Sequence, residues 1–203
     1  MPGKFFVLEG VDGSGKTTQA AKLTQYLIEN KYHVLYTKEP TDITQFSKKI
    51  REILKNEGLG NKEKLTELFV KDRFYHANKI IRPLLKKGIY VVCDRYYIST
   101  LAYQHTQGMD LEYLLKKHEK ILKPNITFFI DVSFETQEKR LKKMNREKIS
   151  FEKHVEFREN LIENYRKICK MLMEKGNKIE IIDGNRNPEK VFNDIVRKIK
   201  DII

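Results

Sequence analysis

The sequence predicts an α/β fold in which a parallel five-stranded sheet is covered by helices on both faces. Three observations predict it. Five short apolar runs punctuate the 203 residues. Helical patterns separate those runs. The first run ends in a glycine-rich turn that opens a helix. Near-continuous apolar character suits a strand buried on both faces, and strands alternating with helices suit parallel pairing through crossovers.

The strand-like runs are Phe5 to Glu9 (FFVLE), His33 to Thr37 (HVLYT), Ile89 to Cys93 (IYVVC), Ile126 to Val132 (ITFFIDV) and Lys178 to Ile182 (KIEII). Helical patterns span Lys16 to Asn30, Thr66 to Lys87, Leu111 to Leu122, Phe151 to Glu174 and Pro188 to Ile202, with a weaker one around Ile43 to Lys55. In the long fourth pattern Val155, Leu161, Tyr165, Ile168, Cys169 and Leu172 share one face. Pro188 suits a helix start, and Val191, Ile195 and Ile199 recur every four residues. No repeat, linker or low-complexity stretch divides the chain, so residues 1–203 read as one domain.

The turn after the first run reads Gly10-x-x-x-x-Gly15-Lys16-Thr17, a complete P-loop, and the sheet is therefore expected to be of the P-loop NTPase type. Gly10, Gly13 and Gly15 let the backbone curl with its N–H groups inward, toward phosphate oxygens. The helix that begins near Lys16 adds its positive end. Val11, Asp12, Ser14 and Thr18 complete the wrap. Lys16 reaches the β- and γ-phosphates, and the Thr17 hydroxyl suits Mg²⁺. The bound species is a nucleoside triphosphate, ATP as the first choice, with Mg²⁺ as cofactor.

Charge narrows the partners. Lys and Arg number 40 against 28 Asp and Glu, a net charge of +12. Such a chain binds nucleic acid or small polyanions. The basic residues are spread along nearly every helix, with no basic tail and no aromatic-basic RNA motif, so an anionic substrate is favoured over nucleic acid as the main partner. No apolar run approaches the ~18 residues of a membrane helix. The start, MPGKFFVLEG, lacks a charged segment followed by an apolar one, and Cys93 and Cys169 lack metal-ligand spacing. A cytoplasmic protein with reduced core cysteines is expected.

In open α/β sheets ligands bind beyond the carboxyl ends of the strands. Lys38-Glu39-Pro40 follows the second run, and Asp94-Arg95-Tyr96 follows the third, with Ser99, Thr100, Tyr103 and Gln104 just beyond. Asp94 stands where a Mg²⁺-associated carboxylate is usual. Phe69 and Arg73 lie four apart, on one helix face. The set supplies Arg for a phosphate, rings for a base and carboxylates for Mg²⁺ or a hydroxyl, a second nucleotide site. Taken singly, Phe69 also suits a core position, Arg73 a surface one, and Asp12 a polar turn.

Together the segments GVDGSGKTTQ (10–19), TKEP (37–40), LFxxDR (68–73), DRYYISTLAYQ (94–104) and KPNITFFIDV (123–132) resemble the thymidylate kinase family, in order and in spacing. The match continues in FEKHVEFRENLIENYRKI (151–168), similar to the helix after that family's lid. The resemblance implies transfer of the ATP γ-phosphate to dTMP, and a homodimer. It implies that Asp12 contacts the sugar 3′-hydroxyl, Phe69 stacks on thymine, Arg73 lies near base and phosphate, and Arg95 binds the dTMP phosphate. Thr100 and Gln104 fall where the family contacts the base, and Tyr103 where a tyrosine crowds the 2′ position. Glu39 and Pro40 match an acidic residue and a proline, Arg140 an arginine against adenine, and Tyr165 a tyrosine near the monophosphate pocket.

The chain departs from the pattern in two places. One branch of the family has Arg where this chain has Gly13, and Thr41-Asp42 stand where Gly-Gly is common. With Gly13, the catalytic cation is expected from a short lid at about residues 140–150, which holds Lys142, Lys143, Arg146 and Lys148. Arg146 is the first choice, because a planar guanidinium matches phosphate geometry, and Lys143 stays open. Other acceptors, dUMP among them, and a nucleotide-dependent nucleic-acid-binding protein are the competing readings.

Overall fold

In the computed structural model, residues 2–56, 61–143, 155–200 and 202–203 are described. Five strands form one parallel sheet: β1 (Phe5–Glu9), β2 (Val34–Lys38), β3 (Tyr90–Asp94), β4 (Ile126–Asp131) and β5 (Ile179–Asp183), in the order β2-β3-β1-β4-β5. The strands lie within a residue or so of the apolar runs. β1 is central, and every residue of β1 and β3 is buried.

The helices among the described residues are α1 (Lys16–Glu29), α2 (Gln45–Asn56), α3 (Lys62–His76), α4 (Arg82–Lys86), α5 (Tyr97–Thr106), α6 (Leu111–Lys117), α7 (Phe134–Lys143), α8 (Val155–Glu174) and α9 (Pro188–Ile199). Local chemistry explains several starts. Asn61 accepts from the Lys64 N–H at the head of α3, Asp110 from Tyr113 N–H at α6, and Asn187 from Glu189 N–H at α9, where Pro188 needs no partner. The pattern from Thr66 to Lys87 reads as one helix but is three pieces. A π-helical turn, Ala77–Ile81, separates α3 from α4. The ladder widens just ahead of Pro83, whose ring would crowd the Lys79 carbonyl in a regular helix.

Alternation along the strands sorts the core into two layers. Phe5, Val7, Val91, Cys93 and Phe129 pack with α5, α6 and α8 through Ile98, Leu101, Leu114, Leu161, Tyr165 and Ile168. Phe6, Leu8, Val92, Phe128 and Ile130 pack with α1 and α9 through Leu23, Leu27, Val191 and Ile195. A smaller cluster joins α2 and α3 around Ile50, Ile53, Leu65 and Leu68. Both cysteines are buried and unpaired.

Two helices were not foreseen. α5 lies inside the segment read for its functional residues, and α7 buries only Gln137 and Leu141, too narrow a stripe to signal a helix. α7 runs through Lys143, so residues 140–143 of the expected lid are helical. Arg146, Lys148 and the rest of that segment lie outside the described residues.

Leu23 is fully buried between α1 and the sheet, whereas Ile181 on β5 is 47% exposed. Leu23→Ala should lower the unfolding free energy by about 3 kcal/mol, and Ile181→Ala by under ~1 kcal/mol, in urea melts. Equal losses would mean that the α1–sheet layer is not a principal core.

Candidate active site

The parallel register sets Leu8 beside Asp94, so the turn after β1 and the elbow after β3 emerge side by side. A cleft of about 1070 Å³ opens over this edge, running from Glu39, Thr41 and His76 across the P-loop to Arg140, Gly184 and Arg186.

The P-loop adopts the backbone that its glycines permit. Gly10, Gly13 and Gly15 have φ of 147°, 80° and 99°. A Cβ on Gly10 would lie 2.8 Å from the Ile130 carbonyl oxygen. A Cβ on Gly13 would meet the Gln137 carbonyl and Leu141 at 3.3 Å, in a conformation already strained for an L-residue. α7 therefore leaves little room for an arginine at position 13. Val11 points into the core, and its carbonyl accepts from Lys16 Nζ at 3.0 Å. Lys16 Nζ also reaches Asp12 Oδ1 at 3.4 Å. Burial, then the nearby Arg95, pull the Lys16 amine below its ordinary range, against the pull of Asp12 and Asp94. Thr18, with Ser14, lines the cleft.

Thr17 Oγ1 lies 2.5 Å from Asp94 Oδ2, and Asp94 Oδ1 is buried with no hydrogen-bond partner among the described residues. A hydroxyl and an orphaned carboxylate oxygen beside a phosphate loop suit a hard divalent cation. The residues fit Mg²⁺.

Arg95 turns back over this loop from the β3–α5 elbow. Its φ is 72°, a left-handed conformation that costs a non-glycine residue about 1–3 kcal/mol and persists only when its surroundings impose it. Its backbone N–H extends the ladder to Leu8 O at 2.9 Å. The guanidinium donates to Gly10 O and Ser99 Oγ, both at 3.1 Å, to the Tyr165 hydroxyl at 3.3 Å, and to the Asp12 carboxylate. It lies 5.5 Å over the Tyr103 ring. Tyr165 stacks on Phe129 at 5.6 Å and meets Tyr103 edge-on. Asp12 thus bridges Lys16 and Arg95, joining the two halves of the cleft.

Behind them lies a buried polar network. Arg73 is 1% exposed, so neither a surface position nor a free one describes it. Its Nε donates to Glu39 at 2.6 Å, and its other nitrogens to Thr100 Oγ1 and the Tyr96 carbonyl, each at 3.0 Å. His118 Nδ1 donates to Leu114 O at 2.8 Å, leaving Nε2 to accept from Arg73, also at 2.8 Å. Burial, then the Arg73 charge, push His118 down to about 3, so the ring is neutral. His76 donates from Nδ1 to Glu39 at 2.9 Å and faces the Thr37 hydroxyl. Pro40 follows Glu39 through a cis peptide. Asp72 takes Thr41 N, Thr41 Oγ1 and Thr44 Oγ1, which ties the post-β2 loop to α3.

The other residues fall as follows. Gln104 is buried, and its side-chain oxygen has no hydrogen-bond partner among the described residues. Arg140 holds the carbonyls of Gly13, Ser14 and Gly184 at 3.3, 2.9 and 2.7 Å, a clasp between α7, the P-loop and the β5–α9 loop at the far end of the cleft. Lys143 lines the cleft. Phe69 is half-buried against the α2–α3 cluster and, like Arg73, Thr100, Tyr103, Gln104 and Tyr165, lies outside the lining of this cleft. His76, His118 and Arg186 carry no motif in the sequence; Asp72 stands in the LFxxDR segment with no role assigned to it, and Glu9 stands out only as a carboxylate closing an apolar strand.

A family model for thymidylate kinase matches residues 8–195. The probable thymidylate kinase of Pyrococcus horikoshii is 37% identical over 98% of this chain and 97% of its own length. That of Thermococcus kodakarensis is 37% identical over 98% of each chain. The thymidylate kinase of Mesoplasma florum is 36% identical over 98% of this chain and 96% of its own. With a P-loop, an arginine elbow and a buried arginine hub ordered along one sheet edge, and with these matches running nearly end to end, the chain belongs to the thymidylate kinase family.

Proposed function

We propose that the chain transfers the γ-phosphoryl group of ATP to dTMP, giving dTDP and ADP. The observation that carries this is the carboxylate of Asp12 between Lys16 and Arg95. One cation belongs to a triphosphate-binding loop. The other stands where a second phosphate would approach, a side chain away. A chain that only hydrolysed or sensed ATP would have no need of the second half. The family and its named relatives support dTMP as the acceptor.

The acceptor phosphate is already an anion, so transfer needs no strong base. The residues position the two phosphates and neutralise charge. The P-loop amides and Lys16 hold the β- and γ-phosphates. Thr17 and Asp94 would hold Mg²⁺, which supplies further charge neutralisation on the phosphate oxygens. Arg95 and Tyr165 take the dTMP phosphate, Asp12 the 3′-hydroxyl, and Tyr103 crowds the 2′ position against ribose. Thr100, Gln104 and Phe69 serve the base, with Arg73, Glu39, Pro40 and Ser99 around them. The Gln104 oxygen, without a partner among the described residues, supports a base contact there. Arg140 sits at the adenine end. A lid at about 140–150 brings Arg146 or Lys143 to the transferring group. One sheet carries both halves of the site, which supports a single kinase domain. The family also supports a homodimer. Among the described residues no helix is long and apolar enough to cross a membrane.

ADP release with ATP·Mg²⁺ should be fast with dTMP and slow with dUMP, ribonucleotides, thymidine or water. Lys16→Ala should lose about 10³-fold in turnover in the same assay. Release without acceptor preference would overturn the proposal. Arg95→Ala should raise KM for dTMP about 100-fold, with KM for ATP within ~threefold, as expected for lost charge-assisted hydrogen bonds. Equal effects on both would place Arg95 wrongly. Arg146→Ala should lower kcat about 100-fold at unchanged ATP affinity. The same loss in Lys143→Ala instead would move the role to Lys143.

A further inference from the structure

Glu9 closes β1 as a fully buried carboxylate. Burial raises its pKa, and the donors around it work in the opposite direction. A carboxylate stripped of water is retained only where donors meet it. Here they all come from the β3–α5 elbow. Glu9 Oε1 accepts from the Tyr96 and Ser99 backbone N–H groups at 2.8 and 3.1 Å, and Oε2 from the Ser99 hydroxyl at 2.6 Å. α5 has no side-chain cap of its own at Tyr96, so Glu9 caps it from a neighbouring strand. These bonds lie one to four residues beyond the left-handed Arg95, and they hold the chain that makes the turn.

The second link runs through side chains. The Ser99 hydroxyl has one proton, and Glu9 takes it. Ser99 Oγ is then left to accept, from Arg95 Nη1 at 3.1 Å and from the Tyr165 hydroxyl at 2.9 Å. Glu9 thus sets the direction of each bond in the chain that ends on the guanidinium.

We propose that Glu9 is a positioning residue for the acceptor phosphate: it fixes the elbow at Arg95 and, through Ser99, the aim of the guanidinium, without touching substrate. This rests on the reading of Arg95 as the arginine that binds the dTMP phosphate. A glutamine at position 9 would still accept from the backbone, but its amide would donate to Ser99. Ser99 would have to turn its proton toward Tyr165, and the Tyr165 proton would then face Arg95, donor against donor.

Calorimetric binding of dTMP and of thymidine, which lacks the phosphate, tests this. Glu9→Gln should weaken dTMP about tenfold and leave thymidine within ~twofold. Equal weakening of both would mark a merely structural role, and no change in either would remove the role altogether. Either result overturns the proposal. If Glu9→Gln does not fold, Ser99→Ala decides, because it keeps both backbone bonds to Glu9 and removes only the relay. The same phosphate-selective loss supports the proposal, and a non-selective or absent loss overturns it. Wild-type protein that binds dTMP no more tightly than thymidine would overturn the reading of Arg95 itself, and this proposal with it.

Discussion

The pairing of β1 with β3 is the constraint on which the site depends. Those strands run parallel with Leu8 opposite Asp94, and Arg95 N–H adds a further rung to Leu8 O. The chain leaves β1 into the P-loop and leaves β3 into the arginine elbow. Their separation is therefore set by the spacing of two hydrogen-bonded strands, not by loop flexibility. A slip of β3 by one residue would turn Asp94 to the other face and take Val92 out of the layer it shares with Phe6 and Leu8. The short Thr17–Asp94 contact could not survive it.

Much of this was legible in the sequence because it is imposed locally. A P-loop needs glycines where φ is positive, and Gly10, Gly13 and Gly15 stand there. β1 and β3 are buried on both faces, so their residues run apolar up to the carboxylates that close them, Glu9 and Asp94. Arg73 was legible by resemblance, but its surroundings were not. Its partners come from β2's end, α5 and α6, separated by up to 45 residues in the chain. No spacing rule joins them. Phe69 carried a helical-face signal that a core position satisfies equally, and it packs with the α2–α3 cluster. α7 was hidden for a different reason. A helix held by Gln137 and Arg140 to backbone carbonyls of the P-loop needs little apolar surface.

The two arginines solve the problem of a buried cation differently. Arg73 is surrounded by fixed acceptors: a carboxylate, a hydroxyl, a carbonyl and an imidazole kept neutral by burial and by Arg73 itself. Its charge is held within the protein, behind the Glu39 and His76 side chains that line the cleft. Arg95 is more open, and it shares the Asp12 carboxylate with Lys16. One edge of the sheet thus combines a cation committed to fixed acceptors with two cations that share a single carboxylate.

The π-helical turn between α3 and α4 bears on how such a chain can vary in length. A π turn is an α-helix with one residue too many. The wider turn carries its extra residue through about the same rotation as a regular helix makes with one residue fewer, so deleting a residue from Ala77–Ile81 would restore the regular ladder and leave the flanking helices in phase. Asp72, Arg73 and His76 would keep their face toward Glu39 and the post-β2 loop. Within this helix a single-residue gap can be absorbed in place, without re-seating the run that leads into β3.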